Sequence, residues 1–214
     1  MKISEEKRFI FVHVAKAAGT SISNLVTPYC IAEEKNNVIK LFSRMSLVPN
    51  WRWHHYRTHA TLRTVEKRMP KELYDDMVKF AVVRNPWDRL VSLFHFKKQG
   101  RGHQFRMIKK LGTFSNWLRW IGEQPHSSPY KLQVNMLRQH DGTMGTNHLL
   151  RFESLSEQWR EFSKMIGVEE QLPKLNTSSH KNWREYYSNK DADYVASVWK
   201  EDIDMLEYQF ETPS

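Results

Sequence analysis

The chain has 214 residues, of which 40% are hydrophobic and 27% charged, so its composition is that of a globular domain and excludes a disordered chain. Its formal net charge of +9 predicts an acidic partner, but does not choose between a nucleotide, a polyanionic sugar, nucleic acid and an anionic membrane surface. Cys30 is the only cysteine, which excludes an internal disulfide. The N-terminus is polar and no apolar run reaches transmembrane length. We therefore expect one cytoplasmic domain over residues 1–214, with no transmembrane segment.

The first predicted strand, residues 8–14, is a continuous apolar run with aromatic and β-branched residues, which is typical of a buried parallel strand. A short loop follows, and Gly19, Thr20 and Ser21 then open a helix that we expect to end near Thr27. The N-terminus of a helix after a strand is a good anion site, because its first N–H groups lack intrahelical partners and the helix dipole attracts negative charge.

Lys16 and Gly19 give this loop the character of a phosphate-binding loop. Gly19 permits close approach of the backbone to an oxyanion, the hydroxyls of Thr20 and Ser21 add donors, and Lys16 adds a mobile charge. The loop is not a Walker A motif, because the lysine precedes the glycine. The alternative interpretation is a tight strand–helix turn with ordinary capping hydroxyls.

The second predicted strand, residues 79–84, ends at Arg84 and is followed by a helix that begins at Pro86. The planar guanidinium of Arg84 can hold a phosphate through two bonds, and the hydroxyl of Ser92, two helical turns along, can contact the same phosphate. The alternative is that Arg84 pairs with Asp88 and that Ser92 is a helix-surface residue. Two anion sites in one chain predict a ligand with two separated anionic groups.

The remaining segments predict short helices and one further strand. Residues 31–58 show no clear pattern and predict a long loop with short helices, and residues 60–77 predict two helical pieces. A third strand is expected over residues 148–153. Strands that alternate with helices predict an α/β fold with a central, mainly parallel sheet flanked by helices. Apolar periodicity predicts further helices over 114–122, 129–139, 154–166 and 191–206.

The segments at Lys16 and Arg84 together resemble the sulfotransferases that use 3′-phosphoadenosine 5′-phosphosulfate (PAPS), in particular the carbohydrate branch with the chondroitin, dermatan and uronyl 2-O enzymes and their small bacterial relatives. In that family the first loop usually reads Pro-Lys-Thr-Ala/Gly-Gly-Thr-Ser and binds the 5′-phosphosulfate. The second segment reads Val-Arg-Asn-Pro-Tyr/Trp-Asp-Arg-Leu-Val-Ser and binds the 3′-phosphate. This chain departs from the first motif at Ala15 and Ala17, where the family has proline and threonine, so one hydroxyl donor is missing.

The resemblance continues at Leu150–Leu155, Leu175–Ser178 and the tail 186–208, and leaves out roughly residues 28–56 and 98–145. It implies a P-loop-NTPase-like three-layer fold and transfer of a sulfuryl group from PAPS to a hydroxyl of a carbohydrate or related, possibly acidic, acceptor. The product is adenosine 3′,5′-bisphosphate, and no metal is implied. For 176–178, helix capping is the alternative. The nucleotide-binding residues implied by the matching motifs are Lys16, Ala17, Ala18, Gly19, Thr20, Ser21, Arg84, Ser92, Asn176, Thr177 and Ser178.

The expected reaction is in-line transfer, in which Lys16 and the loop amides stabilise charge on the leaving phosphate oxygen and a general base takes the acceptor proton. Histidine suits neutral pH, and the uronyl 2-O relatives carry a catalytic histidine between the two segments. His59 is the first candidate here, because it precedes a helix and has the His-x-Thr pattern of the bacterial relatives, and His55 is the second. The alternatives are surface histidines beside core tryptophans, or a metal site at His55 and His59, for which no carboxylate or cysteine lies in the cluster.

Two other functions compete with this one. A P-loop-type kinase needs Mg²⁺ and a serine or threonine directly after the lysine, where this chain has Ala17. A non-catalytic basic protein that binds nucleotides or nucleic acid is the second, but no nucleic-acid-binding motif is present, so we expect no nucleic-acid partner. The basic segment 97–110 could attract an acidic glycan, although a solvated charged face is the more usual explanation.

Overall fold

The computed structural model describes residues 1–32, 36–45, 48, 50–54, 56–125, 132–173 and 181–210. A four-stranded sheet has the order β1-β2-β3-β4, in which β1 is antiparallel to β2, and β2, β3 and β4 are parallel. The predicted α/β fold with a mainly parallel sheet flanked by helices is confirmed. The strands are β1 (Lys2–Ser4), β2 (Phe9–Val12), β3 (Val78–Val83) and β4 (His148–Arg151).

The helices follow the predicted alternation with the strands, and four short 3₁₀ turns accompany them, at Thr27–Tyr29, Trp51–Trp53, Phe152–Ser154 and Trp183–Tyr186. No helix in the described ranges is long and apolar enough to cross a membrane. The α-helices are α1 (Gly19–Val26), α2 (Asn37–Arg44), α3 (Leu62–Glu66), α4 (Lys71–Asp76), α5 (Pro86–Lys98), α6 (His103–Leu111), α7 (Phe114–Gly122), α8 (Val134–Leu137), α9 (Leu155–Met165), α10 (Asn189–Val198) and α11 (Lys200–Met205).

The centre of the sheet is a buried aromatic cluster, as the apolar runs predict. Every residue of β2 is fully buried. The ring of Phe80 on β3 lies 5.0 Å from that of Phe11 on β2 and 4.7 Å from that of Phe162 on α9, measured between centroids. This packing fixes β2 beside β3, and it also fixes α9 against the sheet, because close contacts between large aromatic side chains contribute much of the stability of a core.

Four elements differ from the sequence predictions. Strand β1 was not predicted, because its polar residues belong to an edge strand whose pairing comes from β2 rather than from an apolar pattern. Helix α6 was not predicted, because Gly100 and Gly102 directly precede it and glycine is typical of a helix end rather than a helix start. The expected helix over 129–139 is confirmed only at α8, and 126–131 lie outside the described residues. The last helix is divided at Trp199, which is fully buried.

Candidate active site

The two predicted anion sites lie side by side at one edge of the sheet. We call residues 16–21, from the loop after β2 to the first turn of α1, the first corner, and residues 84–92, between β3 and the middle of α5, the second corner. Strands β2 and β3 are parallel with Val12 opposite Ala81, so their carboxyl ends, and the loops that follow them, start at the same edge. The two loops are bonded to each other, since Nη1 of Arg84 donates to the carbonyl oxygen of Lys16 at 3.2 Å. The sequence predicts the two corners separately, and the fold joins them.

The first corner has a backbone suited to an anion. Lys16 and Ala18 both have left-handed conformations, with φ angles of 67° and 54°. Such residues among ordinary ones turn successive N–H groups toward one concave side, which forms an anion-binding nest. Ala18 is the N-cap residue of α1, and its methyl side chain cannot accept from the first N–H groups of that helix. The strain of about 1–2 kcal/mol for each left-handed non-glycine residue is therefore held at the place where an anion would bind.

Position 19 requires glycine because a neighbouring side chain leaves no room for a Cβ atom, in addition to the close approach expected of an anion. A Cβ atom at Gly19 would lie 2.0 Å from Cδ2 and 2.1 Å from Nε2 of His13, so any other residue would displace the His13 ring. Thr20 is exposed and Ser21 is half-buried. Ala17 is fully buried in the hydrophobic core, so only its backbone can contribute to an anion site.

The ammonium group of Lys16 lies in a strongly positive environment. Its Nζ is 4.2 Å from the ring centroid of Phe96, on the last turns of α5. Burial lowers the pKa of Lys16, and the nearby charges of Arg84 and Lys97 lower it further. Two further cationic groups within electrostatic range of the Lys16 ammonium favour the binding of a multiply charged anion.

At the second corner, the guanidinium of Arg84 is engaged in internal contacts. Its Nε and Nη2 donate to the two carboxylate oxygens of Asp88 at 2.7 and 2.8 Å, and its plane lies 3.9 Å from the ring centroid of Phe152. With the bond to Lys16, three of its five N–H groups donate to groups in the described part of the chain. The structure therefore has the ion pair that was the alternative interpretation of Arg84, and two of its N–H groups make no hydrogen bond to the described residues and could donate to a phosphate. Ser92 lies on α5 and is buried.

The backbone of Arg84 is held by a residue that the sequence did not single out. The side-chain oxygen of Gln133 accepts from the Arg84 N–H at 3.0 Å, and its amide nitrogen donates to the Arg84 carbonyl at 2.8 Å. The backbone N–H groups of Gln133 and Val134 donate to the carboxylate of Asp202, both at 2.9 Å. Burial raises the pKa of Asp202, and Arg89, 3.8 Å away, opposes that shift. This network fixes the position of the second corner.

The candidate base His59 is oriented by the first corner. Its Nδ1 lies 3.0 Å from the carbonyl oxygen of His13 and must donate to it, so a neutral His59 ring carries its lone pair on Nε2. The two imidazole rings meet edge to face at 4.9 Å. Burial lowers the pKa of His59, and burial also lowers the pKa of His13 to about 3, so both rings are neutral at pH 7. His13 thus connects Gly19 in the loop to the candidate base.

Four predicted site residues lie in segments that the structure does not describe. His55 and residues 176–178, which include Asn176, Thr177 and Ser178, lie outside the described residues. Within the described ranges, no group of three or more His, Cys, Asp or Glu side chains is arranged to hold a metal ion. The donors that the two corners do offer are backbone amides, hydroxyls, an ammonium and a guanidinium, and this chemistry fits a nucleotide with two separated anionic groups.

Comparison with known proteins identifies the family of the chain. The model of the sulfotransferase family matches residues 1–209, so the chain belongs to that family, whose fold is P-loop-like. Transfer of a sulfuryl group from a sulfate donor to a hydroxyl acceptor is the activity that membership implies. An archaeal protein from Archaeoglobus fulgidus, described as uncharacterized, is 26% identical over 125 residues, which are 56% of this chain and 93% of that protein.

Proposed function

We propose that the chain transfers a sulfuryl group from PAPS to a hydroxyl of a carbohydrate or related acceptor, in the manner of the carbohydrate sulfotransferases. The observation that carries this proposal is the direct bond between the corners, from the Arg84 guanidinium to the Lys16 carbonyl. Because the corners adjoin, one nucleotide with phosphates at its 3′ and 5′ positions can contact both.

The residues divide between the two ends of the nucleotide. Lys16 and the amides of residues 17–21, together with the hydroxyls of Thr20 and Ser21, would hold the 5′-phosphosulfate. The remaining N–H groups of Arg84 and the hydroxyl of Ser92 would hold the 3′-phosphate. A role for Asn176, Thr177 and Ser178 at the nucleotide stays a prediction.

When bound, PAPS supplies an electrophilic sulfur and a bisphosphate leaving group. His59 would accept the proton of the acceptor hydroxyl on Nε2 while that oxygen bonds to sulfur and the bond from sulfur to the phosphate oxygen breaks. Lys16 and the amides of the loop would stabilise the negative charge that forms on that phosphate oxygen. The products are a sulfate ester, adenosine 3′,5′-bisphosphate and the proton that His59 later releases.

We further propose that the reaction needs no added metal. Lys16, Arg84 and Lys97 supply positive charge where phosphoryl-transfer enzymes use Mg²⁺. The kinase alternative is disfavoured by Ala17, because it is buried and has no hydroxyl to bind a metal. The cytoplasmic location and the lack of a nucleic-acid partner stay predictions.

Calorimetry with adenosine 3′,5′-bisphosphate in EDTA tests the proposal. We expect binding by the wild type, and affinity lower by roughly 10- to 100-fold in Lys16→Ala and Arg84→Ala, because each loses a charge-assisted contact. Arg160→Ala is the matched control, since Arg160 is exposed on α9. A wild type that gives no heat, or that binds only with Mg²⁺, would overturn the proposal.

A further inference from the structure

A cavity of about 470 Å³ opens where α5 ends and α6 begins, next to Lys16. The ring of Phe96 forms part of its wall and also lies 4.2 Å from the Lys16 ammonium. Phe96 is therefore shared between the lining of the cavity and the surroundings of Lys16. Its wall consists of Phe96, Lys97, Gln99, Gly100, Gly102, His103, Gln104 and Phe105.

The wall offers aromatic faces to a ligand. Phe96 is 53% exposed, which is unusual for a phenylalanine beside a buried core. Phe105 is half-buried, and Nζ of Lys109 lies 4.9 Å from its ring centroid. Exposed aromatic rings bind the apolar face of another ring, and a neighbouring ammonium adds attraction for an anionic substituent on that ring.

The charge around the cavity has one sign. Residues 95–113 contain no aspartate or glutamate, and most of the net charge of the chain lies there, on Lys97, Lys98, Arg101, Arg106, Lys109 and Lys110. Lys97 lies within electrostatic range of both Lys16 and His59. Burial is the main cause of the lowered pKa of each of these two groups, and the charge of Lys97 lowers it further. A positive cavity beside the reacting groups raises the local concentration of anionic ligands.

We propose that this cavity is the acceptor subsite and that it takes a ring-shaped hydroxyl compound with an apolar face and a nearby anionic group. The inference rests on the proposed function, and it names the part of the chain that selects the acceptor. Phe96 and Phe105 contact the ring, while Lys97 and Lys109 attract the anionic group.

The test compares two polysaccharide acceptors with labelled PAPS: desulfated chondroitin, whose rings carry carboxylates, and dextran, whose rings are neutral. We expect the wild type to prefer chondroitin. Lys109→Glu should raise KM for chondroitin by about 10-fold or more and remove the preference, because one reversed charge changes an ionic contact by more than about 1.4 kcal/mol. Phe105→Ala should raise the same KM about threefold or more. Lys164→Glu, on the exposed side of α9, is the matched control.

Direct binding of desulfated chondroitin without nucleotide is measured alongside, together with adenosine 3′,5′-bisphosphate binding by Phe105→Ala. Normal nucleotide binding and transfer, with an acceptor KM that neither variant changes, would overturn this inference and leave the proposed function intact. A wild type that does not bind chondroitin, or that binds a single-stranded oligonucleotide at this cavity as tightly, would also overturn it. Failure of nucleotide binding in the wild type would instead contradict the proposed function.

Discussion

The two corners at the sheet edge have opposite construction. The first, around Lys16 and Ala18, has a strained left-handed backbone, a helix whose N-cap alanine offers no acceptor to the first N–H groups, and side chains that are partly exposed. The second, around Arg84, is buried, and its guanidinium and backbone are held by Asp88 and Gln133. Strain and unsatisfied donors characterise a surface that awaits a ligand, whereas internal bonds characterise a frame.

Cationic side chains can therefore serve two purposes in one site, binding a ligand and holding the protein backbone. An arginine at a strand end suggests a phosphate ligand, but Arg84 also holds the lysine loop by its bond to the Lys16 carbonyl. Substitutions at the two corners should therefore have different effects. Those at the first corner should affect turnover and nucleotide binding, and those at the second should also affect the free energy of unfolding.

The largest expected effect is at the candidate base, which the first corner orients through His13. We expect His59→Ala to lower kcat by about 10²- to 10⁴-fold, because general-base catalysis contributes an acceleration of that size. The affinity for adenosine 3′,5′-bisphosphate should stay unchanged, which calorimetry measures. His54→Ala is the control, since His54 contacts Ser43 rather than the loop. Retention of most of the turnover in His59→Ala would place the base elsewhere.

The next effect contrasts the corners directly. We expect Arg84→Ala to lower the free energy of unfolding by about 3–5 kcal/mol, because it leaves the Asp88 carboxylate buried without its partner. Lys16→Ala should change it by less than about 1 kcal/mol, since the ammonium is only partly buried. Urea unfolding followed by circular dichroism gives both values.

The control for Arg84→Ala is the double variant Arg84→Met with Asp88→Leu, which replaces the pair by apolar groups. We expect it to recover most of the free energy of unfolding, because a buried ion pair contributes little net stability, but not the affinity for nucleotide. Equal losses of stability in Lys16→Ala and Arg84→Ala would contradict the contrast between the corners.

The pH dependence of kcat/KM sharpens the description of the first corner. Burial lowers the pKa of His59 from its ordinary 6.5, and His59 must be neutral to act, so the rate should fall as pH drops through a value below 6.5. Burial also lowers the pKa of Lys16 from 10.5, and Lys16 must be charged, so the rate should fall again as pH rises through a value below 10.5. The residual activity of His59→Ala should lack the low-pH limb. A low-pH limb above 6.5 in the wild type would contradict this.

The smallest effect concerns the strained backbone. Ala18 has φ of 54°, which glycine adopts without a Cβ penalty. We expect Ala18→Gly to raise the free energy of unfolding by about 0.5–1 kcal/mol, since relief of strain exceeds the added entropy of the unfolded chain. Ala60→Gly, outside the left-handed region, should lower it. A loss of stability in Ala18→Gly would show that Ala18 is not strained.

Local patterns predict the elements that build the site. The continuous apolar runs of β2 and β3, and the proline that begins α5, are signals within a few residues, and all three elements are present. The bonds that complete the site join residues distant in sequence, as Gln133 and Asp202 do around Arg84. No local pattern reveals them, because they depend on tertiary packing.

The contacts of Arg84 also depend on tertiary packing, because the sequence allows both a phosphate contact and an ion pair. The spacing to Asp88 allows the ion pair, but burial decides that it forms, and burial follows from the fold. The role of Gly19 is similar. A glycine before a helix suggests anion approach, whereas its contact with the His13 ring depends on the whole loop.

In the proposed complex, one nucleotide spans both corners, with its 5′ end at Lys16 and its 3′ end at Arg84. The most direct measurement is calorimetry with adenosine 5′-monophosphate and adenosine 3′-monophosphate on Lys16→Ala and on the double variant Arg84→Met with Asp88→Leu. We predict that Lys16→Ala weakens binding of the 5′-monophosphate alone, and that the double variant weakens binding of the 3′-monophosphate more than that of the 5′-monophosphate, because it also removes the bond from Arg84 to the Lys16 loop. Equal weakening of both nucleotides by either variant, or weakening of neither, would contradict this arrangement.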